Sequence, residues 1–218
     1  MIINQLSLSL EEKVYSVLEE EILTGKLKAG EQLKEQALSA KLGVSRTPIR
    51  SALHRLAEDG LVEISANRGA TVVGVSAEDV RNIYLIRERL EGLASRLAAE
   101  RIDDEGKAEL KNSVELAEFY ISRMDAEKLK EQDTEFHKII YEASGNRPLC
   151  KTLSDLHKNI KSYRKNSLLV SGRVEKSVAE HREILEAILA GDADEADRLT
   201  SLHIKRSMEN ILGSESQS

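Results

Sequence analysis

The sequence predicts a mostly α-helical protein in two parts: an N-terminal winged helix-turn-helix, then an antiparallel bundle of six helices. Three observations carry that prediction. Long runs of Ala, Leu, Glu, Lys and Arg, with only 2 prolines in 218 residues, favour helix almost throughout. Strand signals, short apolar runs rich in β-branched residues, are confined to residues 61–73 and stop beyond Val75. Helix starts and stops then recur at short intervals, as expected for antiparallel neighbours with short connections.

Taken in order, Ser9-Leu-Glu-Glu12 is a capping box that opens a helix through about Thr24. Val14, Val17, Leu18 and Ile22 follow at helical spacing, Gly25 closes the helix and Gly30 marks the next turn. A second short helix, about Glu35 to Leu42, is expected to turn Ala37, Leu38 and Leu42 inward before Gly43 breaks it. The third runs from about Ser45 to Asp59. Ser45 or Thr47 can cap its start, because a side-chain oxygen there accepts an orphan backbone N–H. Ile49, Ala52, Leu53 and Leu56 make one apolar stripe, while Arg46 and Arg50, four apart, leave another face together. Gly60 ends the helix. A solvated surface helix would look similar, but a one-sided helix with two arginines near its N-terminus also suits the DNA major groove. Its surroundings favour the second reading. Leu61 to Ser65 (LVEIS) and Ala70 to Val73 (ATVV) read as strands, and Asn67-Arg-Gly69 between them is turn chemistry. That hairpin is a wing, whose tip residue Arg68 can reach a DNA backbone or minor groove.

The stretch Glu35-Gln-Ala-Leu-Ser-Ala-Lys-Leu-Gly43-Val-Ser-Arg-Thr-Pro-Ile-Arg50, with Leu53, Leu56, Asp59-Gly-Leu61 and Gly69, resembles the GntR family of bacterial transcription regulators. The resemblance covers roughly the first third of the chain. It implies a double-stranded DNA operator as partner, with Arg46 and Arg50 on bases or flanking phosphates. Ser45 and Thr47 would bond phosphate, with Arg68 and Gly69 of the wing completing the DNA-binding set. Gln36 departs from the pattern, since several relatives have arginine there; a glutamine can still read adenine.

Bulk properties are compatible with this. The chain has room for one large or two small domains, lacks any apolar run of the roughly 18 residues that span a bilayer, and has no signal-peptide pattern. Its single cysteine, Cys150, rules out an internal disulfide and suits a cytoplasmic location. A net charge of −6 argues against a nucleic-acid partner, but residues 26–70 hold eight basic and five acidic side chains. Positive charge is therefore concentrated where the helix-turn-helix sits, and the remainder keeps non-specific DNA binding weak.

The expected domain boundaries are 1–75 for DNA binding, 76–213 for a helical effector domain and 214–218 for a disordered tail. In the second domain, Ser76-Ala-Glu-Asp79 caps a long helix to about Arg101, carrying Val80, Ile83, Leu90, Leu93 and Leu97. Further helices are expected from Asp103 or Asp104 to about Arg123, from Asp125 to about Ser144, and from Pro148 to about Asn166. One more ends near Gly191, after the Ser171-Gly172 turn, and the last covers about Ala193 to Leu212.

This bundle carries a candidate metal site. Asp133 and His137 are four apart on one helix, so their side chains project together, while His181 and His203 lie on the last two helices beside apolar neighbours. Three imidazoles and a carboxylate suit a first-row divalent ion. Taken singly, each histidine is more often a packing residue. The pattern Asp133-x-x-Phe136-His137, Ser144-Gly-Asn146, Glu180-His181-Arg182 and His203 resembles the FCD effector domain of one GntR subfamily, over most of residues 76–212. That resemblance implies zinc, nickel or a similar ion on Asp133, His137, His181 and His203. His54 and His157 lie outside the pattern and read as surface or packing residues. Arg87 matches an arginine that faces the effector cavity in such domains, where a guanidinium would select a small organic carboxylate. A surface ion pair with Glu91, four residues on, is the equal alternative.

The expected function is a homodimeric, metal-containing, effector-responsive transcription regulator, more often a repressor than an activator, with no membrane partner. The runner-up is a helical metallohydrolase whose His/Asp site activates water. Against it, the chain has no His-Asp dipeptide, no Gly-rich phosphate loop and no Gly-x-Ser-x-Gly. A third possibility is a purely structural metal with no effector.

Overall fold

A computed structural model of the chain describes residues 9–65, 69–74, 76–159 and 173–215. The chain divides into two compact units, Met1–Ser76 and Ala77–Ser218.

In the first unit, α1 (Leu10–Leu23) begins with the expected reciprocal cap. The Ser9 backbone N–H donates to Glu12 Oε2 at 2.7 Å, and the Glu12 N–H donates to Ser9 Oγ at 3.1 Å. Its buried stripe is Val14, Tyr15, Leu18, Ile22 and Leu23; Tyr15 takes the inward place expected of Val17, which lies off that stripe and is exposed. α2 (Glu35–Leu42) buries Leu38 and partly Leu42, while Ala37 faces solvent. Gly43 ends α2 at φ 66°, a left-handed conformation that glycine adopts without a Cβ penalty. α3 (Arg46–Glu58) buries all four residues of its predicted stripe, Ile49, Ala52, Leu53 and Leu56, against α1, α2 and β2.

The sheet is larger than the predicted hairpin. β2 (Val62–Ser65) and β3 (Gly69–Val72) pair antiparallel, but β3 is central, because a two-residue β1 (Gln32–Leu33) pairs with its other edge. Two residues are too few to show alternation, so β1 left no signature in the sequence. Gly69 sits where this third strand closes in: its φ is 84°, and a Cβ there would lie 2.5 Å from the Leu33 carbonyl oxygen. The predicted tip residue Arg68 lies outside the described residues.

The second unit contains α4 (Ala77–Arg101), α5 (Asp104–Arg123), α6 (Ala126–Ala143), α7 (Arg147–Asn159), α8 (Arg173–Ala190) and α9 (Ala193–Glu215). Asp103 and Asp125 cap α5 and α6 through bonds accepted from the Gly106 and Lys128 N–H groups. α9 continues through residues 214 and 215, beyond its expected end and into the stretch assigned to a disordered tail. The end of the predicted fourth helix of this unit lies outside the described residues. α4 and α9 run antiparallel, as the pairs Glu88–Ser201, Ser95–Thr200 and Arg96–Asp194 show. They approach closely at Gly92, where any Cβ would collide with Asp197 and Ser201. Ala94, Ala98, Phe136, Ile140, Leu153, Ile184, Leu185 and Ala196 belong to the main core.

Candidate functional site

Two sites stand out, one in each unit. In the first, α3 presents its polar face outward from the buried stripe. Gln36, Ser45, Arg46, Thr47 and Arg50 are all exposed. Ser45 occupies the N-cap position, but its hydroxyl makes no capping bond, contrary to the sequence expectation, and Thr47 lies one residue inside the helix. Arg50 is held in an ion pair not anticipated from sequence: Nε donates to Glu35 Oε1 and Nη2 to Glu35 Oε2, both at 2.8 Å. A groove of about 690 Å³ runs between α3 and the sheet, lined by Lys34, Glu35, Arg50, His54, Ile64 and Gly69 among others. Gly69 is close to this groove, yet its identity is already demanded by positive φ and by Leu33. His54 is exposed one turn beyond Arg50.

The second site lies inside the bundle. α6, α8 and α9 bring His137, His181 and His203 together, all buried, with one ring nitrogen from each within 4.8 Å of the others. His181 Nε2 and His203 Nε2 lie 3.3 Å apart, and Asp133 Oδ1 is 3.8 Å from His181 Nε2. The three predicted histidine ligands therefore converge, while Asp133 lies beside His181 but outside the mutually close group, and the spacing of the two Nε2 atoms suits a common ion. Two nitrogens bound to one tetrahedral ion with bonds of about 2.0–2.1 Å stand about 3.3 Å apart.

Carboxylates behind the rings set which nitrogens face inward. His203 Nδ1 lies 2.7 Å from Glu180 Oε2, so with the proton on Nδ1 the Nε2 lone pair points into the cluster. His137 Nδ1 lies 2.8 Å from Glu91 Oε2, a close contact between a buried ring and a buried carboxylate. Burial pushes the His203 imidazole down to about 4, against the opposing pull of Glu180, so the ring is neutral and able to ligate near pH 7. Burial alone would raise the Glu180 carboxyl. Bonds from His203 and Arg173 outweigh it and hold Glu180 at about 2. Arg173 grips Glu180 with both Nη atoms at 3.1 Å and also donates to Ser207.

Arg87 is fully buried beside this cluster, and its Nε donates to Glu91 Oε1 at 2.6 Å. Both sequence readings of Arg87 contain part of the answer. The pair with Glu91 forms, but it is interior rather than superficial. Meanwhile Nη1 is buried without a hydrogen-bond partner among the described residues, and Arg87 lines a cavity of about 30 Å³ together with Tyr84, Asp133, His137, Arg173 and His203. Burial works against both charges. Arg87 and Glu91 hold each other ionised nonetheless, with the Glu91 carboxyl well below the usual carboxylate range.

Sequence reasoning missed Glu180 and Arg173 as supports and Glu91 as a buried anion. Glu180 adjoins His181 in sequence, yet it serves His203, and only the packing of α8 on α9 makes that pair. His157 is buried with its ring 5.6 Å from His137, a packing neighbour of the cluster but outside the triad of nitrogens.

The model of the family described as bacterial regulatory proteins, gntR family, matches residues 10–72, and the FCD domain model matches residues 82–206. The chain is 31% identical over 199 residues to the uncharacterized HTH-type transcriptional regulator YdhC of Bacillus subtilis, covering 90% of this chain and 88% of that protein. It is 26% identical over 200 residues to the HTH-type transcriptional repressor RspR of Escherichia coli, covering 92% of this chain and 88% of that protein. The fold is shared with E. coli McbR/YncC at a TM-score of 0.76 and 24% identity, covering 96% of this chain and 100% of that one. Both sequence relatives bear the names of transcriptional regulators rather than of enzymes.

Proposed function

Because the chain belongs to the GntR family of bacterial regulatory proteins and carries an FCD domain, we propose that it is a homodimeric operator-binding repressor gated by a small carboxylate at a metal site. GntR regulators bind DNA operators and are typically dimers. Two recognition helices in a dimer would face half-sites about one helical turn apart, so the operator is a short inverted repeat. Gln36, Ser45, Arg46, Thr47, Arg50, Arg68 and Gly69 form the DNA-binding set. Of its described members, Arg50 and Gly69 line the groove, Ser45, Arg46 and Thr47 are exposed at the start of α3, and Gln36 is exposed on α2. A double-stranded DNA partner places the protein in the cytoplasm, and among the described residues no helix is long and apolar enough to cross a membrane.

Asp133, His137, His181 and His203 would hold a divalent transition ion, zinc or nickel. The observation that carries this is the meeting of three buried imidazoles, one ring nitrogen of each within 4.8 Å of the others and two Nε2 atoms 3.3 Å apart. When bound, the ion supplies a Lewis-acidic centre for an effector oxygen. The chain's own part is to orient and neutralise. Glu180 and Glu91 fix the rings. Arg87 offers its buried Nη1 to a carboxylate. The cavity beside it has room for an ion with a water or two, not for a metabolite. An effector must therefore part the lining side chains of α4, α6, α8 and α9, and that displacement couples it to DNA release. By linkage, a releasing effector binds the DNA-free state more tightly.

The small cavity also favours a second reading, a structural metal with no effector. One set of measurements separates them. The purified protein should carry a stoichiometric divalent metal that is lost in His181→Ala, and Arg50→Ala should weaken operator binding about 10- to 100-fold. Metal-free wild-type protein sinks the metal site, and unchanged operator affinity sinks the recognition helix. If no small carboxylate changes operator affinity while metal removal unfolds the bundle, the structural reading stands.

A further inference from the structure

Arg50 and Glu35 form the one bidentate ion pair on the face of α3 among the described residues. Both groups are near the surface, and an exposed pair contributes little to stability. What it does deliver is a single geometry. The carboxylate lies side-on, taking the Nε–H and one N–H of Nη2. Arg50 makes no other hydrogen bond among the described residues. Its end-on edge, the two N–H groups of Nη1 and the second of Nη2, is left open. That edge is the fork whose spacing matches O6 and N7 of guanine in the major groove.

We infer that Glu35 is a positioning residue for base readout: it locks Arg50 side-on so that the end-on fork is presented to a guanine. This rests on α3 being the recognition helix. An anion on a surface that meets phosphates costs affinity for DNA in general. It makes sense only if it adds discrimination. With its side-on edge occupied, Arg50 cannot grip a phosphate there, and the rotamer freedom that a guanine contact would otherwise remove is already lost in the free protein. Glu35 is well placed to stay ionised. The Arg50 hydrogen bonds lower its carboxyl, burial opposes this weakly, and the charges of Arg50, Arg46 and His54 add to the lowering. Glu35 is the first residue of α2 and Arg50 the fifth of α3, so the lock also joins the two helices of the motif.

The test uses full-length protein and duplexes selected by the wild type from a randomised library. Affinity is then measured for the selected duplex, for the same duplex with each guanine replaced, and for a scrambled duplex. For Glu35→Gln, affinity for the selected duplex should fall about 10-fold, while that for scrambled DNA stays level or rises. The preference for guanine at one position per half-site should relax in the same way as in Arg50→Ala. A melting temperature equal to wild type excludes a folding effect, since a merely structural role would not move the ratio between the two duplexes. If Arg50→Ala loses the guanine preference and Glu35→Gln keeps it, Glu35 does not position Arg50. Tighter binding of the selected duplex by Glu35→Gln would make the pair an inhibitory latch and overturn the inference. No selected sequence, or one indifferent to Arg50→Ala, removes the recognition helix itself and this inference with it.

Discussion

The two units use the same chemical pair, arginine with glutamate, under opposite dielectric conditions. Glu35–Arg50 has side-chain exposures of 26% and 62%, whereas Arg87–Glu91 has 1% for each partner. Water screens the first, which adds little to folding and leaves only the end-on edge of the guanidinium open. The second has no solvent to replace a lost partner. Each charge there is tolerable only because the other is present, with the Tyr84 ring 4.7 Å from the guanidinium adding a cation–π contact. The difference teaches where each site's specificity comes from. At the surface, geometry is set before a partner arrives. Inside the bundle, a buried donor, Arg87 Nη1, is left without a hydrogen-bond partner among the described residues.

The sharpest way to break this comparison is to remove one partner from each pair. Glu91→Ala should destabilise the helical unit by about 3–5 kcal/mol, because it strands a buried guanidinium, whereas Glu35→Ala should melt as wild type does. Chemical denaturation of the two variants checks this, and equal losses would end the contrast. The double change Arg87→Met with Glu91→Leu should recover most of the stability.

A second prediction concerns the wing, whose constraint is backbone rather than charge. Gly69→Ala should cost about 1–3 kcal/mol through its positive φ and the collision with the Leu33 carbonyl. The effect should be visible as faster amide exchange confined to β1 and β3, with the histidine cluster unaffected.

The smallest effect is in pH. His203 has its folded value depressed to about 4 from 6.5, so the stability it contributes is fully present above about 6.5 and is lost as pH falls towards 4. Glu180, lowered from 4.5 to about 2, adds a further loss below 4.5. In the first unit, the lowered groups Glu12, Glu21 and Glu35 all start from 4.5 and keep their contribution down to that pH. Hydrogen exchange by mass spectrometry on the metal-free chain, corrected for intrinsic rates, should show the bundle loosening between pH 6.5 and 4.5 while the winged unit holds. Simultaneous loosening of both would show that the histidine cluster does not govern the difference.

Much of the molecule was legible without coordinates, for local reasons. The Ser9 and Glu12 cap, the Asp103 and Asp125 caps, the apolar stripe of α3 and the glycines that end helices all act within a few residues of themselves. The histidine cluster was legible because its three members sat in a recognisable pattern on three predicted helices beside apolar neighbours. Errors arose where burial depends on what lies opposite: Val17 and Ala37 are at plausible helical positions but face solvent, and β1 is too short to show a period.

Composition, periodicity and caps by themselves determined the fold class and the recognition helix as a candidate. Together with the resemblance to the FCD pattern, they also made Asp133, His137, His181 and His203 an expected ligand set. Tertiary structure alone decided the rest. It chose Glu180 for His203 across two helices, turned Glu91 from a surface partner into a buried anion, brought Glu35 against Arg50, and left a cavity of only about 30 Å³ beside Arg87. The physical reason is common to all four. A pairing between distant residues and the dielectric around it are properties of packing, and no short-range pattern encodes them.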